Sequence, residues 1–196
     1  MPRRAALAIP CAFAILAAGC SSTPASRFYT LTAVPAPAAA PSDVSVAVGP
    51  VTVPAAVDRP QIVVVTGPNQ VRLDEFNRWA SPLQDNIARV IAENLVAMLG
   101  TPRVSVSPQT LSAGVDYRAV IEVQRFESAP GEAATLDAVW TVTRARDGKA
   151  QTGRTTVREA TTAPGYDALA GAHSRAVTRL SRDLADAVRA LGRPGQ

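Results

Sequence analysis

Residues 81–100 read SPLQDNIARVIAENLVAMLG, and this stretch decides the fold class. Leu83, Ile87, Ile91, Leu95 and Met98 recur at helical spacing on one face, while Asp85, Arg89 and Glu93 fall elsewhere, so the segment is an amphipathic helix. Ser81, Pro82 and Gln84 supply an N-cap serine, a proline at the first helical position and a glutamine at the third, the pattern of a capping box. Gly100 and Pro102 end the helix. A single apolar stripe must cover another layer, and the flanking sequence supplies strands for it.

Upstream, Val44, Val46 and Val48 alternate with Ser45 and Ala47, and Val51 and Val53 continue past Gly49-Pro50 as a bent strand or a second short one. Gln61 to Val65 and Gln70 to Leu73 flank a Gly67-Pro68-Asn69 turn and read as a hairpin. Downstream, Arg103 to Ser107 is a short strand. Tyr117, Ala119, Ile121 and Val123 alternate along the next strand, and Leu136, Ala138, Trp140 and Val142 along another. Asp147-Gly148 then turns the chain into a strand at about Gln151 to Glu159. From Tyr166 to Leu191, a second helix places Leu169, His173, Val177, Leu180, Leu184 and Val188 on one stripe. Two long amphipathic helices and about six strands make a single α/β domain with a mixed sheet.

The first residues have the layout of a secretory signal. Arg3 and Arg4 precede an uncharged apolar run from Ala5 to Ala18, interrupted by Pro10 and too short to span a bilayer comfortably. Leu16-Ala17-Ala18-Gly19-Cys20 resembles a lipobox, in which the cysteine becomes the lipidated first residue of the mature chain. Residues 1–19 are then a lipoprotein signal peptide, and the cofactor class is none beyond a covalent diacylglycerol and N-acyl group on Cys20. Ser21, where aspartate would favour the inner membrane, favours the outer one. The other cysteine, Cys11, lies in the signal, so no disulfide framework is available.

The balance of 20 basic and 16 acidic residues becomes 18 and 16 once Arg3 and Arg4 leave, a net charge of +2. With both signs mixed along the chain, nucleic acid is not an indicated partner. Ala33 to Ser42 is almost only alanine and proline and reads as a semi-rigid stalk of about 30 Å. Residues 20–42 are thus the lipidated N-terminus and tether, and 43–196 the globular domain. Phe28 to Thr32, ahead of the stalk, packs back as an edge strand.

No motif for catalysis stands out. The single histidine, His173, lies on the apolar stripe of the last helix, where a buried hydrogen-bonded role fits best. Asp183 and Asp186 are surrounded by Arg179, Arg182 and Arg189, the composition of a solvated helix face and not of a metal site. There is no Gly-x-Ser-x-Gly elbow and no phosphate-binding glycine loop. The sequence is read as that of a non-enzyme.

Three blocks carry a more specific signal: Val-Ala-Val-Gly-Pro-Val-Thr-Val-Pro from Val46 to Pro54, Asp58-Arg59-Pro60-Gln61-Ile62-Val63, and Arg78-Trp79-Ala80-Ser81-Pro82-Leu83. Together with Phe28-Tyr29-Thr30-Leu31, they resemble the auxiliary lipoprotein family of ABC-type transporters, which includes the paraquat-inducible C-like and YmbA-like lipoproteins. One departure is Ser81, where members often carry glutamate. The resemblance implies a three-layer α/β domain similar to the amino-terminal domain of TolB. It also implies an outer-membrane lipoprotein, facing the periplasm, that docks an MCE-domain protein of a lipid transport system and assembles as a homo-oligomeric ring.

Arg59, Arg78 and Trp79 are the candidate partner-binding residues, since arginine and tryptophan are enriched at interface hot spots. The competing reading makes Trp79 a lid over the sheet and puts the two arginines in structural ion pairs. A lipid carrier, which would need an apolar cavity, and a structural envelope lipoprotein without a transporter partner are the alternative functions.

Overall fold

The computed structural model describes residues 24–34, 37, 39–107 and 114–193; the signal segment and Cys20 lie outside the described residues. The elements are β1 (Arg27–Tyr29), β2 (Val46–Thr52), β3 (Gln61–Gly67), β4 (Gln70–Trp79), α1 (Leu83–Leu99), β5 (Val104–Val106), β6 (Tyr117–Ala129), β7 (Ala133–Arg144), β8 (Ala150–Ala160) and α2 (Tyr166–Gly192). The strands form one mixed eight-stranded sheet with β6 at its centre. One edge of β6 is shared: its first half pairs in parallel with β2, and Ser128 near its end pairs with Val64 of β3. Its other edge pairs with β7 along the whole strand, and β8 follows antiparallel. β4 returns antiparallel to β3, and β1 adds in parallel as the outer edge.

The two helices pack on each other and on one face of this sheet, α1 over β2 and β5, α2 over β6, β7 and β8. The α/β class, the mixed sheet and both apolar stripes are those read from the sequence. The layering is a helix pair on a curled sheet, and the opposite face of β6–β8 carries no helix among the described residues.

All six stripe residues of α2 are buried, as are Leu83, Ile87, Ile91, Leu95 and Met98 of α1. Hydroxyls within the helix contact are satisfied locally: Ser174, Thr178 and Ser181 donate to the carbonyls of Ala170, Ser174 and Val177. Asn94 of α1 then donates its amide to Thr178 and Ser181, which fixes the register of the two helices.

The start of α1 differs from the expected capping box. Pro82 has ψ 134°, outside the helix, and occupies the N-cap position with no side-chain cap bond. The first helical residue is therefore Leu83, and Ser81 stands one residue too early for its hydroxyl to meet the N2 or N3 amide. At the other end Gly100 adopts the left-handed conformation (φ 65°) and its N–H caps Val96 O.

The N-terminal segment is built into the body. Leu31 is fully buried, and Arg89 donates to its carbonyl at 2.6 Å and to Asn86 Oδ1 at 2.8 Å. Thr32 N–H reaches Ser174 Oγ on α2. In the alanine–proline stretch, Ala39 N–H donates to Ala97 O at 3.0 Å and Ser42 N–H to Gly100 O at 2.9 Å, so its described end runs along the last turn of α1.

Candidate partner-binding surface

Two of the sequence blocks meet at the junction of β3 and β4. Gln61 is the register partner of Arg78, and Trp79 N–H donates to Pro60 O at 2.7 Å. Arg59, next to Pro60, is exposed; its backbone N–H donates to Val57 O at 2.8 Å, and its guanidinium has no hydrogen-bond or ion-pair partner among the described residues. Arg78 is half-buried; its Nε donates to the carbonyl of Glu75 at 2.8 Å, and its guanidinium lies 3.6 Å from the Glu75 carboxylate. Phe28 on β1 is the register partner of Arg78 and is 64% exposed. Arg78 and Phe28 are thus neighbours at the β1 side of the sheet, and Arg59 lies in the loop that leads into β3.

Trp79 sits on the other face. It is 5% exposed, and its indole packs edge-on against Phe126 and His173, each at a centroid distance of 6.0 Å. It anchors the strand that carries Arg78 and does not present its ring to a partner. Phe126 and His173 stack at 3.9 Å. His173 Nε2 lies 2.8 Å from Ser128 Oγ, and complete burial pulls its pKa down to about 3, so the ring is neutral. A neutral imidazole closed in by two aromatic rings has no route to a substrate, which fits the structural role assigned to it from its place on the stripe.

Other polar clusters are likewise internally consumed. Asp183 accepts from Thr155 Oγ1, which itself accepts from Trp140 Nε1, while Asp186 pairs with Arg189. Asp137 is held by Arg154 at 2.5 Å, whose hydrogen bond leads the influences that lower its pKa. Among the described residues, no three acidic, histidine or cysteine side chains converge as a metal site would require. Nor is any described helix long and apolar enough to cross a membrane.

A cavity of about 710 Å³ opens between Asp43, Arg103, Asp116, Tyr117 and Arg144. Its polar groups are spent on the fold. Asp116 accepts from Ser45 N–H at 2.8 Å and Ser45 Oγ at 2.6 Å, bonds that hold its pKa low. Arg144 forms a two-pronged pair with Asp147 and also donates to Leu191 O. A more apolar hollow, between Ala39–Ser42 and the ends of both helices, is open to solvent.

The motif blocks single out Arg59, Arg78 and Trp79, and of the two readings of Trp79 the structure has the lid over the sheet. The buried Asp74 went unnoticed in the sequence. The strand alternation held a usable signal: Trp79 shares its inward face with Tyr29, its partner on β1.

No curated protein matches the chain in sequence. Two solved structures share the fold: an uncharacterised protein (TM-score 0.70, 19% identity, 84% of this chain and 99% of that one) and protein XCC0632 from Xanthomonas campestris (TM-score 0.63, 22% identity, 81% and 92%). At these identities the likeness concerns the fold alone. The profile of the family described as ABC-type transport auxiliary lipoprotein component matches residues 29–185, from the edge strand β1 to late in α2. The chain therefore belongs to the ABC-type transport auxiliary lipoprotein family.

Proposed function

We propose that this protein is the membrane-anchored docking subunit of an ABC-type lipid transport system, held in the outer membrane by lipid on Cys20 and facing the periplasm. In this reading it binds the periplasmic end of an MCE-domain protein, as a homo-oligomeric ring, through a surface that includes Arg59 and Arg78. One observation carries the surface assignment. Two motif blocks separated in sequence are brought together by the Trp79–Pro60 hydrogen bond, and this leaves the Arg59 guanidinium exposed with no intramolecular partner among the described residues. An exposed, unspent arginine is of the residue type enriched at interface hot spots. The internally consumed polar clusters favour binding over catalysis. The open form of the described cavities gives the lipid-carrier reading no support.

The test is binding of an MCE-domain protein from the same organism to wild type, Arg59→Glu and Arg78→Glu. Reversing either charge is expected to weaken the complex about tenfold while the circular dichroism spectrum is unchanged. Trp79→Ala is unsuited to this purpose because it empties part of the core.

A further inference from the structure

The exposed large apolar side chains are concentrated at one edge of the sheet. Phe28 (64%), Val71 (59%), Leu73 (39%) and Phe76 (37%) all lie on β1 or β4. Asp74 is buried and bonded to Tyr166 of α2, so it faces the helices; by strand alternation Val71 and Leu73 face away from them. Phe28 faces away as well, because its neighbour Tyr29 pairs with the inward Trp79. Arg78 faces away with Phe28, whereas Arg27 and Arg72 share the face of Tyr29 and Asp74, and Arg72 pairs with Asp74 at 3.3 Å. These exposed aromatic and aliphatic groups suit an interfacial surface, where apolar side chains enter the headgroup region.

The same edge is where the lipidated terminus arrives. Pro24 and Ala25 line a groove with Arg27, Phe76 and Asn77, so the arm already lies against β4 at residue 24. Between Cys20 and Pro24 there are only four residue steps, which span at most about 14 Å. An acyl-cysteine in the headgroup layer cannot be farther than that from where the arm meets Phe76. The alanine–proline stretch lends no extra reach, since it follows β1 in the chain.

We propose that the β1–β4 edge lies against the phospholipid surface, with Phe28, Val71 and Leu73 seated among the headgroups. This rests on the anchoring of Cys20 proposed above. A lipid surface is the occupant because the tether length puts one within reach of this edge. The far edge, β8, is five strand spacings away, about 24 Å, and its exposed Thr152, Arg154 and Thr156 carry no comparable apolar group.

The experiment uses the full lipidated protein in vesicles of zwitterionic and anionic phospholipid, some of which bear a quencher on the headgroup. A single environment-sensitive dye is placed on Val71→Cys or, as the control, Thr152→Cys; Cys20 is blocked by its thioether. Mass spectrometry first establishes the lipid on Cys20. With lipid present, the account expects roughly half or more of the emission quenched at position 71 and little at 152. Equal and weak quenching at both positions in the lipidated protein would overturn the membrane-facing edge and leave anchoring intact. Shielding at 71 that grows with protein density instead of quencher would assign the patch to a second copy and also overturn it. Absence of lipid on Cys20 would remove the anchor and this proposal together.

Discussion

Tyr166 in the first turn of α2 donates its hydroxyl to Asp74 on β4 at 2.5 Å, across 92 positions of sequence. Asp74 also accepts from the amides of Phe76 and Asn77 at 3.1 and 2.9 Å and from the Asn77 side chain, which shapes the irregular pairing of β4 with β3. Burial alone would push its carboxyl up, but these hydrogen bonds outweigh it and bring the pKa down to about 2. The ionised form is therefore favoured by folding. Its contribution is complete above the ordinary carboxylate value near 4 and is lost as pH falls from about 4 toward about 2. Asp74→Asn should cost about 1–3 kcal/mol near pH 7 in urea unfolding, and its difference from wild type should shrink across that acid window.

His173 gives pH dependence in a different window. Its neutral ring has a pKa of about 3 in the fold, against about 6.5 in an unfolded chain. Below pH 6.5 the unfolded chain takes up a proton that the folded one refuses, so stability falls as pH drops from about 6.5 toward about 3. In His173→Gln this part of the slope should vanish in a series of unfolding midpoints.

Gly153 is required by Trp140. A methyl group at Gly153 would stand 2.2 Å from Cζ2 of the Trp140 indole, and that ring is fixed by its bond to Thr155 Oγ1 at 3.0 Å. Gly153→Ala should destabilise by about 1–3 kcal/mol through overpacking and alter tryptophan fluorescence. Gly148→Ala, where nothing lies within 4 Å but φ is 73°, should cost about 1 kcal/mol through backbone strain and leave the fluorescence unchanged.

Gly100 couples the N-terminal segment to α1. A Cβ there would lie 2.1 Å from Ala40 O, and the residue's φ of 65° already disfavours a side chain. Gly100→Ala should lift the Ala39–Ser42 segment off the helix. Hydrogen exchange at the Ala39 and Ser42 amides should accelerate about tenfold or more, while the amides of β6 and β7 keep their protection.

The helices and central strands were legible because their periodicity is local: each stripe of α1 and α2 buries as spaced, β6 alternates from Tyr117 to Gln124, and Leu136, Ala138, Trp140 and Val142 of β7 are all buried. What escaped depends on distant partners. Asp74 sits in a polar run, and nothing nearby announces Tyr166. Leu31 gives no sign that Arg89, 58 residues away, will close over its carbonyl. Composition alone made a stalk of residues 33–42, whereas small side chains also let a backbone lie close to a helix end. Ser81 carried the right side chain for a cap, but the extended Pro82 shifted the helix start beyond it. Arg59, Arg78 and Trp79 stood out as motif residues, with Trp79 open to two readings; the sheet decides for the ring turned inward as a lid.

Docking of a transporter component is measured directly by titrating the lipidated protein in vesicles with the periplasmic part of an MCE-domain protein from the same organism. Saturable binding is expected, weakened about tenfold by Arg59→Glu without loss of fold. Absence of binding by the folded wild type, or equal binding by wild type and Arg59→Glu, would contradict it.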